Sequence, residues 1–299
     1  MKNIIVAFTL ISCLSSCEDV IDLEVQDGVE QLVVDGWLTN RAEDQAISLS
    51  LSQAYFDNRD IPTVNDAEVI VYELDQTPHP FVNMGNGKYI LSKDNANFLT
   101  EGGQYSLYIS YKGEEYGSLS VLNRVPSIDS IAYEYFEFPI SQGDSTLPDD
   151  GYLAEFYARD PKGARDTYWI RTTKNGKLIN DPTSISTAFD AGFSPGALSD
   201  GLLFILPIRQ SINDGLYLHG DSLHVELWSI TNDAFYYLSQ VRQESGNGGI
   251  FATPPANIPT NIFNLNKTSD KKALGYFGIS AVSQFETVID STKARKPLF

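Results

Sequence analysis

The sequence predicts a mainly β protein made of two β-sandwich-like domains, with one short helix in the second. Three observations carry that expectation. Apolar and polar residues alternate with period two in many short runs, as in Ile47, Leu49 and Leu51 against Ser48, Ser50 and Ser52, or Tyr105, Leu107, Ile109 and Tyr111 against Ser106, Tyr108 and Ser110. Such alternation marks strands with one buried face. Turn dipeptides, among them Asn86-Gly87, Gly102-Gly103 and Lys112-Gly113, break the runs at the spacing of an antiparallel sandwich. Helical spacing of apolar residues is convincing only over 233–244.

Taken in chain order, residues 1–16 read as a lipoprotein signal peptide. Lys2 supplies a positive charge, and Ile4 to Leu14 an apolar stretch within the roughly 7–15 residues of a secretory signal, short of the ~20 that span a bilayer. Leu14-Ser15-Ser16-Cys17 then offers small residues to a signal peptidase and a thiol that can carry a diacylglycerol, so Cys17 is the expected lipid attachment site. Leu10-Ile11-Ser12-Cys13 has the same form. Cleavage there would shorten the apolar stretch to about six residues and begin the body with Leu14, whereas Cys17 is followed by polar Glu18-Asp19. Residues 17–30 are the lipidated tether; since one acyl chain binds only marginally, the several chains of a bacterial lipoprotein would hold the protein to a membrane.

Residues 31–126 form the expected N-terminal domain. Its candidate strands are Leu32–Trp37, 47–51, Glu68–Leu74, Lys88–Leu91, 105–111 and Glu115–Val121. Six or seven short strands in about a hundred residues suit an immunoglobulin-like or transthyretin-like sandwich. His79, between Pro78 and Pro80, reads as an exposed loop. Val125-Pro126-Ser127 is the expected boundary, because proline stops a central strand. Residues 127–299 then form a second β-rich domain, with candidates Ile128–Phe138, Leu153–Ala158, Thr167–Thr173 and Leu178–Asn180 around the hairpin turn Asn175-Gly176, Leu202–Leu206 and Ser222–Ser229. Asn232 is the expected N-cap of the helix near 233–244, with Phe235, Tyr237, Leu238 and Val241 on one face and Gly246 ending it. Gly246 to Asn266, carrying Pro254, Pro255 and Pro259, reads as a long loop.

Charge narrows the partners. With 39 acidic and 21 basic residues the chain carries −18, and loss of Lys2 with the signal makes that −19. Such a surface repels nucleic acid and anionic membrane faces. Cys13 and Cys17 are the only cysteines, so a chain processed at Cys17 has no disulfide and depends on packing for stability.

Two catalytic patterns occur and each lacks a part. Gly192-Phe193-Ser194-Pro195-Gly196 matches a nucleophile elbow, but the residue after the serine must give a backbone N–H to the oxyanion hole and Pro195 has none. Gly220-Asp221-Ser222-Leu223 resembles the GDSL-type esterase block. Its nearest histidine, His224, would share a strand face with Ser222, yet no α/β scaffold surrounds it. The only histidines are His79, His219 and His224, none at helical i, i+4 spacing, so no catalytic residue, cofactor or metal is expected. Asp57 to Asp60 and Gly143 to Gly151 read as solvated acidic loops, with calcium the alternative; neither has EF-hand spacing. Trp37, Trp169, Trp228 and the many Phe and Tyr residues are expected mostly in the core, any exposed ring being free to stack on a sugar or dock a partner.

A resemblance covers most of the chain. Cys17-Glu18-Asp19-Val20-Ile21-Asp22-Leu23, Leu32-Val33-Val34-Asp35-Gly36-Trp37-Leu38-Thr39, Val125-Pro126 with Ile128-Asp129-Ser130-Ile131, Phe235-Tyr236-Tyr237, Gly249 to Ile258 and Leu274-Gly275-Tyr276-Phe277 together resemble the DUF4249-type family of outer-membrane lipoproteins, a domain of unknown function. The resemblance implies a companion of a TonB-dependent outer-membrane transporter and assigns no catalytic or ligand residue. Glu18 and Asp19 resemble the acidic surface-export signal of such lipoproteins, which implies an anchor facing the cell exterior; the periplasmic face is the alternative. The leading expectation is therefore a non-enzymatic accessory of nutrient uptake, with a glycan or peptide as the nutrient. A free-standing glycan-binding lipoprotein and a GDSL-like serine esterase are the other readings.

Overall fold

A computed structural model describes residues 29–54, 57, 59–139, 148–196, 198–248, 253–254 and 256–296. The signal peptide, Cys17 and the tether as far as Gly28 lie outside the described residues. Strand accounts for 45% of the fold and helix for 11%, so the mainly β class is as predicted.

Seven strands come from the first part of the chain: β1 (Leu32–Thr39), β2 (Gln45–Leu51), β3 (Glu68–Glu73), β4 (Pro78–Asn83), β5 (Lys88–Leu91), β6 (Gln104–Tyr111) and β7 (Glu114–Val121). Glycine-containing turns join them where expected. Asn86 and Gly87, and Lys112 and Gly113, all take positive φ, the conformation in which a two-residue turn follows the twist of its strands. The proline-flanked segment at His79 differs from the sequence reading: it is strand β4, paired with β3 from Pro78 to Phe81 and with β5 only at Val82 and Asn83. Pro78 and Pro80 lie two apart and so share the side away from β3. Their missing N–H groups fall where β4 has no neighbour, which is how proline is tolerated in a strand.

The second part supplies β8 (Ile128–Glu137), β9 (Asp150–Ala158), β10 (Thr167–Lys174), β11 (Lys177–Leu178), β12 (Ser186–Phe189), the single turn α1 (Leu206–Arg209), β13 (Ser222–Ile230), helix α2 (Asn232–Ser245), β14 (Phe263–Asn264), β15 (Ala273–Ser280) and β16 (Val282–Val288). Residues 202–206, expected as a strand, instead lead into α1, because Pro207 fits the first helical turn, where an N–H has no acceptor. The N-cap of α2 is Thr231 rather than Asn232: its side chain accepts from the Ala234 N–H, and Asn232 already lies in the helix. Gly246 caps the other end, as predicted.

Nine strands form the first sheet in the order β14-β7-β6-β3-β4-β5-β2-β1-β15. It crosses the boundary expected at Pro126, since β14 and β15 come from near the C-terminus and β15 lies parallel to β1. The sheet rolls until its ends meet: the Ile279 N–H donates to Ser120 Oγ at 3.2 Å, and Asn123 bridges to Ser280. Val34, Leu38, Ile47, Leu49, Val71, Ile109 and Phe277 fill the enclosed core, each 1% exposed or less, and each such burial contributes about 1.5–3 kcal/mol.

The second sheet runs β11-β10-β13-β16, with β12 also on β10. Its inner face (Tyr168, Ile170, Val225, Leu227) packs against Tyr133 and Phe156 of the β8–β9 ribbon and against Phe204 and Ile208. The bodies are sewn together near the linker. Asn123 Nδ2 donates to the Ile230 carbonyl at 2.9 Å, and Ser229 Oγ donates to the Asn123 carbonyl at 2.7 Å while accepting from the Ala281 N–H. Helix α2 packs Ala234, Phe235 and Leu238 against Phe189, Ile230 and Tyr276, touching both sheets.

Candidate functional site

Alternation decides what lines the surface between the two bodies. On β1 the core residues Val34 and Leu38 leave Val33, Asp35 and Trp37 facing outward, and on β15 the partners Leu274, Tyr276 and Gly278 do the same. On β10 and β13 the outward set is Trp169 and Arg171 opposite Trp228 and Glu226. The two outward faces meet, and all three tryptophans of the chain converge there.

Trp37 and Trp169 meet edge to face with centroids 5.1 Å apart, and Trp169 and Trp228 at 5.7 Å. Trp37 stacks on Tyr276 at 5.2 Å, and Tyr276 meets Tyr237 of α2 at 4.7 Å. Gly278 makes room for this, since a Cβ there would lie 2.5 Å from the Trp37 ring. Arg171 lays its guanidinium over both Trp169 and Trp228, 4.8 and 4.4 Å from their centroids, a favourable cation–π placement. Glu226 accepts from Trp228 Nε1 at 3.0 Å and pairs with Arg41 across the seam.

Two charges in the seam have no hydrogen-bond partner among the described residues, Asp35 and Arg171. Asp35 keeps contact with solvent but stands among densely packed protein, and this burial raises its carboxyl above the usual range, with Arg171 opposing. Burial likewise lowers the Arg171 guanidinium, against the pull of Glu226 and Asp35. Tyr276 is pushed up to about 12, by burial first.

The same outward face continues away from the tryptophans into an open groove of about 840 Å³. Val33, Leu274, Tyr237 and Ile258 belong to its lining, with Lys267, Lys271 and Lys272 from the segment before β15. Gly275 lets the chain pass close to β1: its φ is +89°, and a Cβ would fall 1.9 Å from the Val34 carbonyl oxygen. Thr260 and Asn261 cover the outer edge of β15. Asn261 Nδ2 donates to the Phe277 carbonyl at 2.7 Å and its Oδ1 accepts from the Phe277 N–H at 2.9 Å, as a neighbouring strand would.

A third grouping, Asp160, Asp166 and Asp190, gathers one carboxylate oxygen from each within 4.8 Å. Protein donors already serve all three. Tyr168 donates to Asp160 at 2.6 Å, Arg124 grips Asp166 with Nε and Nη2, and the N–H groups of Arg165 and Asp166 donate to Asp190. Burial raises the Asp160 carboxyl, as it raises the Tyr168 hydroxyl. The set acts as a clamp that fixes the linker residue Arg124 to the second body.

The residues singled out for catalysis are not brought together. Ser194 is exposed in a turn. The Ser222 N–H donates to Asn175 Oδ1 at 2.8 Å, and no hydrogen bond joins Ser222 to His224 among the described residues. His219 accepts from the Ser291 N–H at 3.1 Å, while His79 stacks on Phe98 at 3.5 Å and bonds Glu73 at 2.9 Å, so the three histidines serve separate regions. In the first acidic loop Asp57 binds Arg59, whose side-chain hydrogen bond holds its carboxyl down to about 2. In the second, residues 143–147 lie outside the described residues; Asp150 accepts from the Tyr135 hydroxyl at 3.1 Å. Sequence reasoning missed the lysine groove and the seam charges. The signal for the seam was present: Asp35-Gly36-Trp37, Trp169-Ile170-Arg171 and Glu226-Leu227-Trp228 each put a charge and an indole on one strand face.

No curated protein matches the chain. Residues 18–286 match the family model described as Domain of unknown function (DUF4249), and the protein belongs to that family.

Proposed function

We propose that the protein is a non-enzymatic, lipid-anchored outer-membrane lipoprotein that serves as an accessory subunit of a TonB-dependent nutrient transporter, held through Cys17 and facing the cell exterior. The observation that carries this reading is the apolar run Ile4 to Leu14 closed by Leu14-Ser15-Ser16-Cys17. Glu18 and Asp19 support the outward orientation. No helix of the described residues is long and apolar enough to cross a membrane. The serines that matched catalytic patterns have no hydrogen-bonded histidine among the described residues, which favours a binding role over esterase chemistry. The arrangement also favours transporter accessory over glycan binder: a sugar platform needs an open indole face, and each tryptophan is already engaged by another ring.

Purification of the native protein from detergent-solubilised membranes tests it. Co-purification of a transporter barrel and a diacylated Cys17 by mass spectrometry are expected, with Cys17→Ala releasing the protein from the membrane fraction. Repeated recovery without any barrel, or an unmodified Cys17 behind an intact leader, would overturn the reading.

A further inference from the structure

We propose that the groove over β1 and β15 binds short acidic peptides, its lysines taking the carboxylates and its aliphatic floor the apolar side chains. The inference rests on the accessory reading only for where such a peptide goes next.

Charge is the first argument. Eighteen residues line the groove and none is acidic, although at the composition of the whole chain about two would be; three are lysines. Lys267 and Lys272 are exposed and have no ion-pair partner among the described residues, while Lys271 shares Glu114 at 3.4 Å. A local excess of positive charge on a molecule of −18 draws in anions at this place and repels them elsewhere.

Shape and chemistry supply the second. A volume of about 840 Å³ falls within the roughly 300–1,000 Å³ of ligand sites. Val33, Ile258, Leu274 and the Tyr237 ring give the groove an apolar lining, so the occupant must bring hydrocarbon as well as charge. Asn257 has no side-chain hydrogen bond among the described residues, and Asn266 uses Oδ1 on Thr268, leaving its Nδ2 to donate outward. Carboxylates, apolar groups and amide hydrogen bonds together describe a peptide. A sugar acid would leave the floor uncovered, and a nucleic acid is repelled by the molecule as a whole. With Thr260 and Asn261 occupying the edge of β15, the peptide is held by side chains and not as an added strand, so its charge pattern sets the selectivity.

Calorimetric titration of the full chain in detergent decides the matter. The probes are a peptide of about ten residues alternating Leu or Val with Asp or Glu, its Asn/Gln counterpart, and an oligogalacturonate. Expected are binding of the acidic peptide, weakening with added salt, and a loss of roughly five- to tenfold in the K267Q/K272Q variant. The control K93Q/K177Q changes two exposed lysines outside the groove and should bind as the parent does. Equal affinity for the neutral peptide or the oligogalacturonate, or no effect of K267Q/K272Q in a protein with unchanged melting, would overturn the proposal. Neither result depends on a transporter, so failure of co-purification leaves the titration interpretable.

Discussion

Glu155 shows how much one side chain can hold. Only 5% exposed, it accepts from Arg209 Nε and Nη2 at 3.2 and 3.0 Å, from Arg295 Nη2 at 3.0 Å and from the Tyr157 hydroxyl at 3.0 Å. It thereby joins β9 to α1 and to the chain beyond β16. Burial pushes its carboxyl up, but the Arg209, Tyr157 and Arg295 contacts outweigh burial and leave it below the ordinary value of 4.5. A carboxyl depressed in the folded state stabilises above its unfolded pKa and loses that contribution as pH falls through the folded value. Glu155→Gln leaves Arg209 and Arg295 without their buried partner and should cost about 3 kcal/mol near pH 7; because the carboxyl is held down in the fold, part of that gap to the parent should close below about pH 4. Urea melts across pH 3–7 measure it; a gap independent of pH would contradict the assignment. Nothing in the sequence links these residues, because each sits in a different element and the link is made only by packing. The sequence reading put Trp37 with the core aromatics; its odd position between Val34 and Leu38, both buried, places it on the opposite face of β1.

At the scale of elements, local chemistry was readable where a strand has one wet face. The runs at β2 and β6 were found by alternation, and Asn175-Gly176 makes the expected hairpin with positive φ at both residues. Strand β15 was not recognised as a strand, and the reason is physical. Tyr276 and Phe277 are both buried, one under α2 and one in the rolled sheet, so alternation disappears. Strand β4 was hidden by its prolines. The helix was found, but its cap was displaced by one residue: Thr231 and Asn232 are both good caps, and the Thr231 Oγ1 bond to the Ala234 N–H at 3.2 Å decides between them. Thr231→Ala should cost about 1 kcal/mol, while Asn232→Ala, at the first helical position, should cost less. Thermal melts of the two variants discriminate.

For the whole molecule, the contacts across the seam set how tightly the bodies are held. Arg41 follows β1, Glu226 lies on β13, and their ion pair spans the aromatic seam. Glu226 is 9% exposed, so the pair is screened less than a surface one, and it also fixes the Trp228 indole. A double-mutant cycle with Arg41→Ala and Glu226→Ala should give a coupling of about 1 kcal/mol or more, accompanied by a shift in tryptophan emission as the indoles gain solvent. Additive single losses would mean that the linker clamp and α2 align the bodies unaided. Fold class and composition of the core were legible at this scale. The pairing of β1 with β15 was not, since no local pattern encodes contact between residues so distant along the chain.

That pairing governs the order in which the protein can mature. Leu32 finds its partner in Ala273 and Thr39 in Ser280, so the first sheet lacks this strand until residues 273–280 have been made. A growing chain therefore holds β1 with one edge open while everything between β2 and β14 is made. A product stopped before residue 273 keeps an unsealed edge on β1, a row of unpaired N–H and C=O groups open to pairing with another chain.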